Sequence, residues 1–413
     1  MRRYEMNVLI TGAQFGNKGA QSMLYTVINE VRNRYPEADF YYLPLDFFRE
    51  YCFHSIDDYR FHFVIDDQAG QDYSAKLGIV NYILRWANIR RIFYGAKKKG
   101  EVLLLSKLWD ELDVLIDVSG YSLTSKFGIS SINRVLRMIN TAKAHGLKVI
   151  LLPQSYGPFC FEKVVRKRIR ASLSRVDLLF AREEDGIDQL KKYCGVTGAV
   201  LSPDIVLQAD EVDWRNVFVH EPKLQYPHLT TSGNVGIVPN GETLRDGAHD
   251  HVINTYREIL KTLRSNGKEV YIFRHSDDLA LCREVYDLVK KDEHCHLIED
   301  EIDCISYGQF IRQFDFIIAS RFHSIVHAYR EGVPAVVLGW AVKYQELTTL
   351  LGQEQYVFDV TDNEQLKTEL LIERLDRMMS QFDKESEVIL SKLGIIRQNS
   401  CFDQCKSILD NIV

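Results

Sequence analysis

The chain has 413 residues, of which 46% are hydrophobic and 26% are charged, and its formal net charge is −6. This length suffices for two ordinary domains with separate cores, and this composition excludes a disordered chain. The net negative charge excludes a general polyanion binder, and no apolar run in the sequence is long enough to span a membrane.

Apolar runs that are typical of buried strands alternate with helical patterns along the chain. In chain order, the predicted strands are Asn7–Thr11, Ala38–Leu43, Val114–Val118, Lys148–Leu152, Leu178–Ala181, Val235–Val238, Glu269–Phe273, Phe314–Ala319 and Ala335–Leu338. The predicted helices between them include Gln21–Arg34, Ile132–Ala144, Ile187–Tyr193 and His251–Ser265. This alternation is typical of a parallel α/β sheet, and the chain contains it twice.

The sequence between the two halves interrupts this alternation, because it contains Trp214, Pro222 and Pro227 and few periodic apolar residues. We therefore predict an N-terminal Rossmann-like domain, an interdomain connection, a C-terminal Rossmann-like domain and a charged helical tail, over residues 1–207, 208–232, 233–364 and 365–413. The tail is expected to pack back across the first domain. Two Rossmann-like domains that face a cleft form the α/β architecture called GT-B.

Ser320, Arg321 and His323 directly follow the apolar run Phe314–Ala319, which we interpret as a buried parallel strand. The helix Ile325–Arg330 leaves this strand, so Ser320 is predicted to be its N-cap, with Arg321 and His323 in the first turn. A helix N-terminus at the carboxyl end of a strand offers unpaired N–H groups to an anion. A bidentate arginine donor and a titratable histidine make this anion site a candidate for catalysis.

Other strand ends carry further candidates for the same cleft. Arg274 and His275 follow the seventh predicted strand, and we predict that they contribute to the anion site. Gln154 and Tyr156 follow the fourth predicted strand, and Asn17 lies in the glycine-rich loop before the first helix. Because ligands bind outside the carboxyl ends of parallel strands, these side chains are expected to face the cleft.

The residues predict neither a metal nor a nucleotide cofactor. His323 and His327 are four residues apart, but no third ligand accompanies them, and His327 is better explained as a satisfied core histidine. The eight cysteines have no zinc-site spacing, so we expect free, buried thiols in a reducing cytosol. The glycine loop after the first strand matches neither the dinucleotide fingerprint nor a P-loop.

Short segments from about Val8 to Gly352 resemble, in the same order, the motifs of the polysaccharide pyruvyl transferases. They are Gly16–Gln21, Leu152–Phe159, Ala181–Glu184, Ser320–Ser324, Gly332–Pro334, Trp340–Lys343 and Leu351–Gly352. The chain departs from the family at Ala20, where many members carry an aspartate, so any role of that carboxylate is absent or moved.

The resemblance implies a GT-B fold and a transferase that uses phosphoenolpyruvate to form a pyruvate ketal on a saccharide, free or lipid-linked, in capsular or exopolysaccharide biosynthesis. It implies the acceptor side in the first domain and the phosphoenolpyruvate side in the second. The phosphate and carboxylate of this donor need several cationic groups, for which Arg321, Lys343, Arg274 and the helix N-terminus after Ser320 are candidates. His323 is the candidate general acid or base, with contact to the phosphate as the alternative.

Two other functions stay open. Retaining GT-B transferases that use a nucleotide sugar place two glutamates ahead of a similar Gly-x-Pro motif, but Ala319 and His327 occupy those positions here. A non-catalytic relative that serves as a binding subunit in polysaccharide assembly is disfavoured, because Arg321, His323 and Lys343 are retained together.

Basic residues cluster in two places on this acidic chain. The second cluster runs from Lys163 to Arg170, and the first combines apolar and aromatic residues with Arg85, Arg90, Arg91, Lys97, Lys98 and Lys99. Solvated helix faces explain such clusters, and the alternative is a surface that touches an anionic membrane. Since the first strand is not preceded by a signal-peptide core, we expect a cytoplasmic protein, at most peripheral at the inner face of the membrane.

Overall fold

A computed structural model describes residues 6–45, 56–68, 102–247, 249–339, 341–360 and 368–412. These residues form two parallel β-sheets with helices between successive strands, which confirms the predicted α/β fold class. The carboxyl ends of the two sheets face a shared cleft, as in GT-B proteins.

The first sheet has eight parallel strands in the order β4-β3-β2-β1-β5-β6-β7-β8. They are β1 (Asn7–Thr11), β2 (Asp39–Leu43), β3 (His62–Ile65), β4 (Val102–Leu104), β5 (Val114–Asp117), β6 (Lys148–Gln154), β7 (Leu178–Ala181) and β8 (Ala199–Leu201). The strand order reverses between β1 and β5, which pair with each other. Such a switch point opens a crevice at the carboxyl ends of the strands.

The helices of this half are α1 (Lys18–Arg34), α2 (Gly128–Ala144), α3 (Lys163–Leu173), α4 (Glu184–Gln189), α5 (Ile205–Gln208) and α6 (Trp214–Val217). A 3₁₀ turn, Ser125–Phe127, precedes α2. Helix α1 begins earlier than predicted, because the Asn17 side chain accepts hydrogen bonds from the backbone N–H groups of Gly19 and Ala20 and so caps the helix at Lys18.

The second sheet has six parallel strands in the order β11-β10-β9-β12-β13-β14. They are β9 (Asn234–Val238), β10 (Glu269–Phe273), β11 (Cys295–Ile298), β12 (Phe316–Ala319), β13 (Ala335–Gly339) and β14 (Val357–Asp359). Its helices are α7 (His249–Ser265), α8 (Leu279–Asp287), α9 (Cys304–Ile311), α10 (Phe322–Arg330) and α11 (Val342–Leu350). Gly332 ends α10 as predicted, with a φ of +75° that favours glycine.

The C-terminal tail forms two helices, α12 (Thr368–Gln398) and α13 (Cys401–Leu409). Leu371, Leu375 and Met378 of α12 are buried in the core of the second domain. Helix α13 lies against the first domain, where Asp403 is 3.1 Å from Arg34 Nη2 and Asp410 accepts a 2.6 Å hydrogen bond from Tyr35. The tail thus contacts both halves of the molecule.

All nine predicted strands are present, with ends that differ by at most two residues. The sequence patterns did not predict β3, β4, β8, β11 and β14, which have three or four residues each and lie at or beside the sheet edges. Six described cysteines are buried free thiols, and Cys160 is exposed. None of the helices in the described part of the chain is both long and apolar enough to cross a membrane.

Candidate active site

A cleft of about 1660 Å³ separates the two domains. Its walls include residues that lie one or two positions after the ends of β1, β5, β6 and β7 in the first sheet and of β9, β10, β12 and β13 in the second. Of the predicted site residues, Asn17, Tyr156, His275, Arg321, His323 and Lys343 line this cleft. Ser320, Arg274 and Gln154 are not among the lining residues.

The sequence pattern predicted Ser320 as the N-cap of α10, but the N-cap is Arg321. Ser320 is fully buried, and its carbonyl accepts hydrogen bonds from Asn240 Nδ2 at 3.0 Å and from the Tyr344 hydroxyl at 2.9 Å. Its own hydroxyl lies 3.1 Å from that of Tyr256. Ser320 therefore anchors the end of β12, and the anion-binding terminus begins one residue later.

Arg321 is held by a carboxylate that the sequence analysis did not single out. Its Nε and Nη2 donate to the two oxygens of Asp278, each at 2.6 Å, in a bidentate pair. The Asp278 side chain is 2% exposed, whereas that of Arg321 is 28% exposed and reaches the cleft. Asp278 fixes the plane of the guanidinium and leaves Nη1 without a hydrogen-bond partner among the described residues.

His323 lies at the contact between the domains. Its Nε2 is 3.5 Å from Asp204 Oδ2, and its ring packs directly against Gly19 at the start of α1. A Cβ atom at position 19 would lie 2.1 Å from His323 Cγ, so only glycine permits this approach. Position 19 in the glycine loop thus serves to bring the first domain against the histidine of the second.

Asp204 and Arg182 belong to a buried network behind His323. Arg182 donates to Glu183 and Asp204, each at 2.8 Å, and to the Ser155 hydroxyl at 2.6 Å. Burial raises the pKa of Asp204, but the neighbouring His323 and Arg182 lower it more, so the net pKa of this carboxyl is below its usual range. The network keeps Asp204 ionised and turned toward the imidazole.

Lys343 lies in the first turn of α11 among three aromatic rings. Its Nζ is 5.1 Å from the ring centre of Phe322, 5.5 Å from that of Tyr344 and 5.6 Å from that of Tyr121, which belongs to the first domain. Burial lowers the pKa of Lys343 to about 7, and the charge of Arg182 acts in the same direction. The aromatic faces oppose this effect, because they attract the ammonium form.

Phe322 packs between these groups, although the sequence analysis gave it no role. The Arg182 guanidinium carbon lies 4.3 Å from the centre of its ring, and the Lys343 ammonium lies 5.1 Å from it. The ring also meets that of His323 edge to face at 5.5 Å. One apolar side chain thus spaces three cationic or titratable groups around the base of the cleft.

On the first-domain side, the start of α1 contacts the second domain. The Asn17 side chain caps α1, so its oxygen is already used by backbone N–H groups. Lys18 is buried and donates from Nζ to the carbonyl of His275 at 2.8 Å. Burial lowers the pKa of Lys18, and the nearby Arg274 adds to this effect. This bond ties the two halves together under the cleft.

Three predicted site residues turn their polar atoms away from the cleft. Gln154 is fully buried, and its side chain lies between Asp117 and the Ser122 hydroxyl, at 3.4 and 3.3 Å. Tyr156 lines the cleft with its ring, but its hydroxyl donates to the carbonyl of Phe180 at 3.0 Å. These groups satisfy the backbone and side chains of the first sheet.

Arg274 is the third predicted site residue that turns away from the cleft, and its Nη2 lies 3.7 Å from a carboxylate oxygen of Glu301. It follows β10 as predicted, yet the acidic residues after β11 attract its guanidinium to the sheet edge. Arg274 is therefore not brought together with Arg321 and Lys343. The cleft thus lacks one of the cations that the sequence analysis had predicted for it.

A layer of buried aromatic groups lies beneath His323. The rings of His275, His327 and Tyr307 are mutually 5.1 to 5.7 Å apart. His327 is buried as predicted, but neither of its ring nitrogens has a hydrogen-bond partner among the described residues. Burial lowers the pKa of His327 to about 3 and that of His275 well below its usual value. No group of three or more potential ligand side chains in the described chain could hold a metal.

Sequence reasoning missed Asp204 and Asp278, the two carboxylates that orient the site. Asp204 follows the short edge strand β8, which was itself not predicted, and its side chain caps α5 by accepting a hydrogen bond from the Val206 backbone N–H. Asp278 stands next to Asp277 after the seventh predicted strand, where nothing in the sequence ranks one above the other. Their partners, Arg182 and Arg321, lie within two residues of the ends of predicted strands, and because a buried arginine needs a carboxylate partner, these arginines were the available signal.

A family model described as polysaccharide pyruvyl transferase matches residues 17–341 of the chain. The matched region begins at Asn17 and includes Arg182, Asp204, Arg321 and His323, whereas Lys343 lies just beyond its end. No curated protein sequence matches the chain.

Solved structures with the same overall fold include a glycosyltransferase from Rickettsia africae, which is 11% identical, has a TM-score of 0.55 and covers 98% of this chain and 99% of its own. A UDP-GlcNAc 2-epimerase from Neisseria meningitidis, bound to UDP-GlcNAc, is 13% identical with a TM-score of 0.54, over 93% and 94% of the two chains. A UDP-GlcNAc 2-epimerase from Methanocaldococcus jannaschii is 10% identical with a TM-score of 0.52, over 91% and 93%. At these identities the likeness concerns the GT-B fold alone.

Proposed function

The chain belongs to the polysaccharide pyruvyl transferase family, and we propose that it transfers the pyruvyl group of phosphoenolpyruvate and forms a pyruvate ketal on a saccharide. The polymer that carries this ketal is a capsular polysaccharide or an exopolysaccharide. The observation that carries the proposal is the cationic wall of the second domain, where Arg321, His323 and Lys343 line one cleft at the N-termini of α10 and α11.

This wall suits a small donor with two anionic groups. A guanidinium has five N–H donors, and the Asp278 pair uses two of those on Arg321, so three remain for a phosphate or a carboxylate. The N-termini of α10 and α11 add backbone N–H groups and partial positive charge. Lys343 supplies a second cation, and we assign the phosphoenolpyruvate phosphate and carboxylate to these two side chains.

Ketal formation needs one proton donor and one proton acceptor. A proton adds to the methylene carbon of phosphoenolpyruvate, which leaves an oxocarbenium-like centre at C2, and an acceptor hydroxyl attacks C2 and releases its proton. Phosphate then departs with its C–O electron pair, and a second hydroxyl of the saccharide attacks the same carbon and closes the ring. One hydroxyl proton replaces the proton that the methyl group received, and the other leaves with the phosphate.

His323 is the group to which we assign proton transfer. Asp204 Oδ2 lies 3.5 Å from Nε2 of this ring and orients it, as a carboxylate does beside a catalytic imidazole. Lys343 is the other titratable side chain on this wall, and its pKa of about 7 suits proton transfer at neutral pH. Separate substitutions of His323 and Lys343 distinguish the two, because only loss of the proton-transfer group lowers the turnover number by orders of magnitude.

The first-domain side of the cleft supports the assignment of a saccharide acceptor. Beyond the base of the cleft, it is lined by Lys126, Ser130, Ser131, Asn133 and Arg134. Hydroxyl, amide and cationic groups at such density suit the hydroxyls of a sugar, and the exposed Phe127 ring beside them offers an apolar face. A lipid-linked saccharide would fit the same open side.

The decisive experiment incubates the full-length protein with phosphoenolpyruvate and a panel of p-nitrophenyl glycosides. Release of inorganic phosphate together with the methyl signal of a ketal in the proton NMR spectrum is the expected result. Parallel reactions contain a nucleotide sugar in place of phosphoenolpyruvate. Transfer from the nucleotide sugar, without any reaction of phosphoenolpyruvate, would overturn the proposal.

A further inference from the structure

We infer that the end of the first domain formed by the N-termini of α2 and α3 is a surface that binds an anionic phospholipid bilayer. The inference is independent of the transferase chemistry. It concerns the second basic cluster of the sequence, Lys163 to Arg170, whereas the cluster of Arg85, Arg90, Arg91, Lys97, Lys98 and Lys99 lies outside the described residues. The surface below is built wholly from described side chains.

Charge on these two helices is one-sided. Helix α2 contains three cations and α3 contains five, and neither helix contains an aspartate or a glutamate. Arg137 and Lys143 of α2 form ion pairs with Asp66 and Asp177, so the excess of positive charge lies mainly on α3. The five cations of α3 are Lys163, Arg166, Lys167, Arg168 and Arg170, and none forms an ion pair with a described carboxylate. On a chain with a net charge of −6, this density creates a local positive field that complements an anionic surface.

Large apolar side chains project from the same end. Phe127 is 55% exposed, Val164 is 59% exposed and Ile129 is 43% exposed. The Phe127 ring packs edge to face on Tyr121 at 5.4 Å, so it is held in place while more than half of it faces outward. Exposed apolar groups surrounded by lysines and arginines are typical of surfaces by which peripheral proteins bind membranes.

These groups form one continuous surface. Helices α2 and α3 both follow parallel strands of one sheet, so their N-termini lie at the same edge, and Arg168 donates to Asn133 across them at 2.9 Å. The Ser125 backbone N–H and hydroxyl both donate to the carbonyl of Pro158, at 2.9 and 2.7 Å, and so join the turn before α2 to the loop before α3. Phe127 and the start of α3 are thereby fixed side by side.

Another apolar surface shows why charge decides the partner. On α12, Val388, Leu390 and Ile395 are also exposed, but acidic and basic residues alternate around them. The surface at α2 and α3 instead combines its exposed apolar groups with an excess of cations, although Glu162 before α3 is an exposed acidic residue. Since Lys126, Phe127 and Ile129 also line the cleft, a bilayer at this surface would lie beside the cleft entrance.

The test measures binding of the full-length protein to vesicles by co-sedimentation. Vesicles of phosphatidylcholine alone are compared with vesicles of three parts phosphatidylcholine and one part phosphatidylglycerol. We expect binding to the anionic vesicles only, and weaker binding as NaCl rises from about 0.05 to about 0.5 M, because salt screens the charges. Equal binding to both kinds of vesicle, or no binding to either, would overturn the inference.

Variants then locate the surface. Lys163→Glu with Lys167→Glu should lower the partition coefficient at least about 25-fold, since each cation near an anionic surface contributes roughly fivefold. The matched control, Lys261→Glu with Lys290→Glu, reverses an exposed lysine on α7 and another in the turn after α8 and should change binding little. Equal losses in both pairs, or none in the first, would contradict the assignment.

Insertion is tested with Phe127→Trp and the equally exposed control Ile395→Trp. Brominated lipid in the vesicles should quench the fluorescence of the tryptophan at position 127 and not that at position 395. Circular dichroism spectra and melting temperatures establish that each variant is folded. If the α3 variants lost binding to duplex DNA while their vesicle binding was unchanged, the surface would belong to a nucleic acid and the inference would fail.

Discussion

Both walls of the cleft have an arginine near the end of a parallel strand, but the two arginines differ in their exposure and in their hydrogen-bond partners. On the first-domain wall, the Arg182 side chain is 5% exposed, and all three of its nitrogens donate to Glu183, Asp204 or Ser155. On the second-domain wall, Arg321 is 28% exposed and has one carboxylate partner, Asp278. The first arginine holds the structure together, and the second keeps donors for a ligand.

This difference shows that position at a strand end does not by itself identify a binding residue. Both arginines follow buried strands, and both face a carboxylate. What separates them is the number of hydrogen-bond donors left unused toward open space. Changes on the second-domain wall should therefore affect turnover and ligand affinity, whereas changes on the first-domain wall should affect stability.

The largest effect is expected at His323 on the second-domain wall. His323→Gln should lower the turnover number by about 10²–10⁴-fold, because a positioned proton-transfer group contributes that much to a rate. Affinity for phosphoenolpyruvate, measured by calorimetry, should stay within a few fold. The control His294→Gln changes a surface histidine that is 46% exposed and should leave both quantities unchanged. A variant that loses affinity but keeps its maximal rate would show that His323 only binds the phosphate.

The first-domain wall is tested by Asp204→Asn, which leaves the buried Arg182 without one of its two charge partners. We expect a loss of about 3–5 kcal/mol in the free energy of unfolding, measured with urea at neutral pH. Since the pKa of Asp204 is below its usual value, its stabilisation is complete above about pH 5 and is lost as the pH falls further.

The matched control is Asp213→Asn, because Asp213 pairs with Arg215 at the surface, where an ion pair contributes less than about 1 kcal/mol. Asparagine also retains the helix cap that Asp213 provides to α6. If Asp204→Asn were as stable as this control, the distinction between the two walls would be wrong.

A third prediction concerns the donors that Arg321 keeps unused. Arg321→Ala should weaken the binding of phosphoenolpyruvate by about 1.5–3 kcal/mol, or roughly 10- to 150-fold, the range for hydrogen bonds to a charged group. Calorimetric titration with phosphoenolpyruvate measures this change. Arg312→Ala is the control, because Arg312 also pairs with a carboxylate, Glu331, at 2.6 Å but lies outside the cleft. Equal affinities in the two variants would contradict the assignment.

The sequence predicted much of the fold because the central strands are buried on both faces. Phe316–Ala319 and Ala335–Gly339 are buried at every position, so they appear as continuous apolar runs between helices. The edge strands, such as Val357–Asp359, are short and partly exposed and carry no such signal. Predictability therefore fell from the centre of each sheet to its edges.

For the site, the sequence identified which residues follow strand ends, but it did not show which of their side chains face the cleft. Arg321, His323 and Lys343 reach the cleft, whereas Arg274 turns to Glu301 and Gln154 turns into the sheet. These directions depend on partners that are distant in sequence. The separation between Arg321 and Asp278 is 43 residues, and that between Arg182 and Asp204 is 22. A local pattern contains no information about such pairs.

The smallest effect is expected in the layer beneath both walls, where His327 is buried without a partner among the described residues. Its pKa is lowered to about 3 in the folded protein, whereas an unfolded histidine has a pKa of about 6.5. Below about pH 6.5 the unfolded chain binds a proton at His327 that the folded protein does not bind, so the free energy of unfolding decreases as the pH falls. Between pH 7 and pH 5 this group should cost about 2 kcal/mol in the free energy of unfolding. Urea unfolding at both pH values should show a smaller decrease for His327→Leu than for the wild type or the surface control His294→Leu. An equal decrease in all three proteins would mean that His327 is protonated in the folded state.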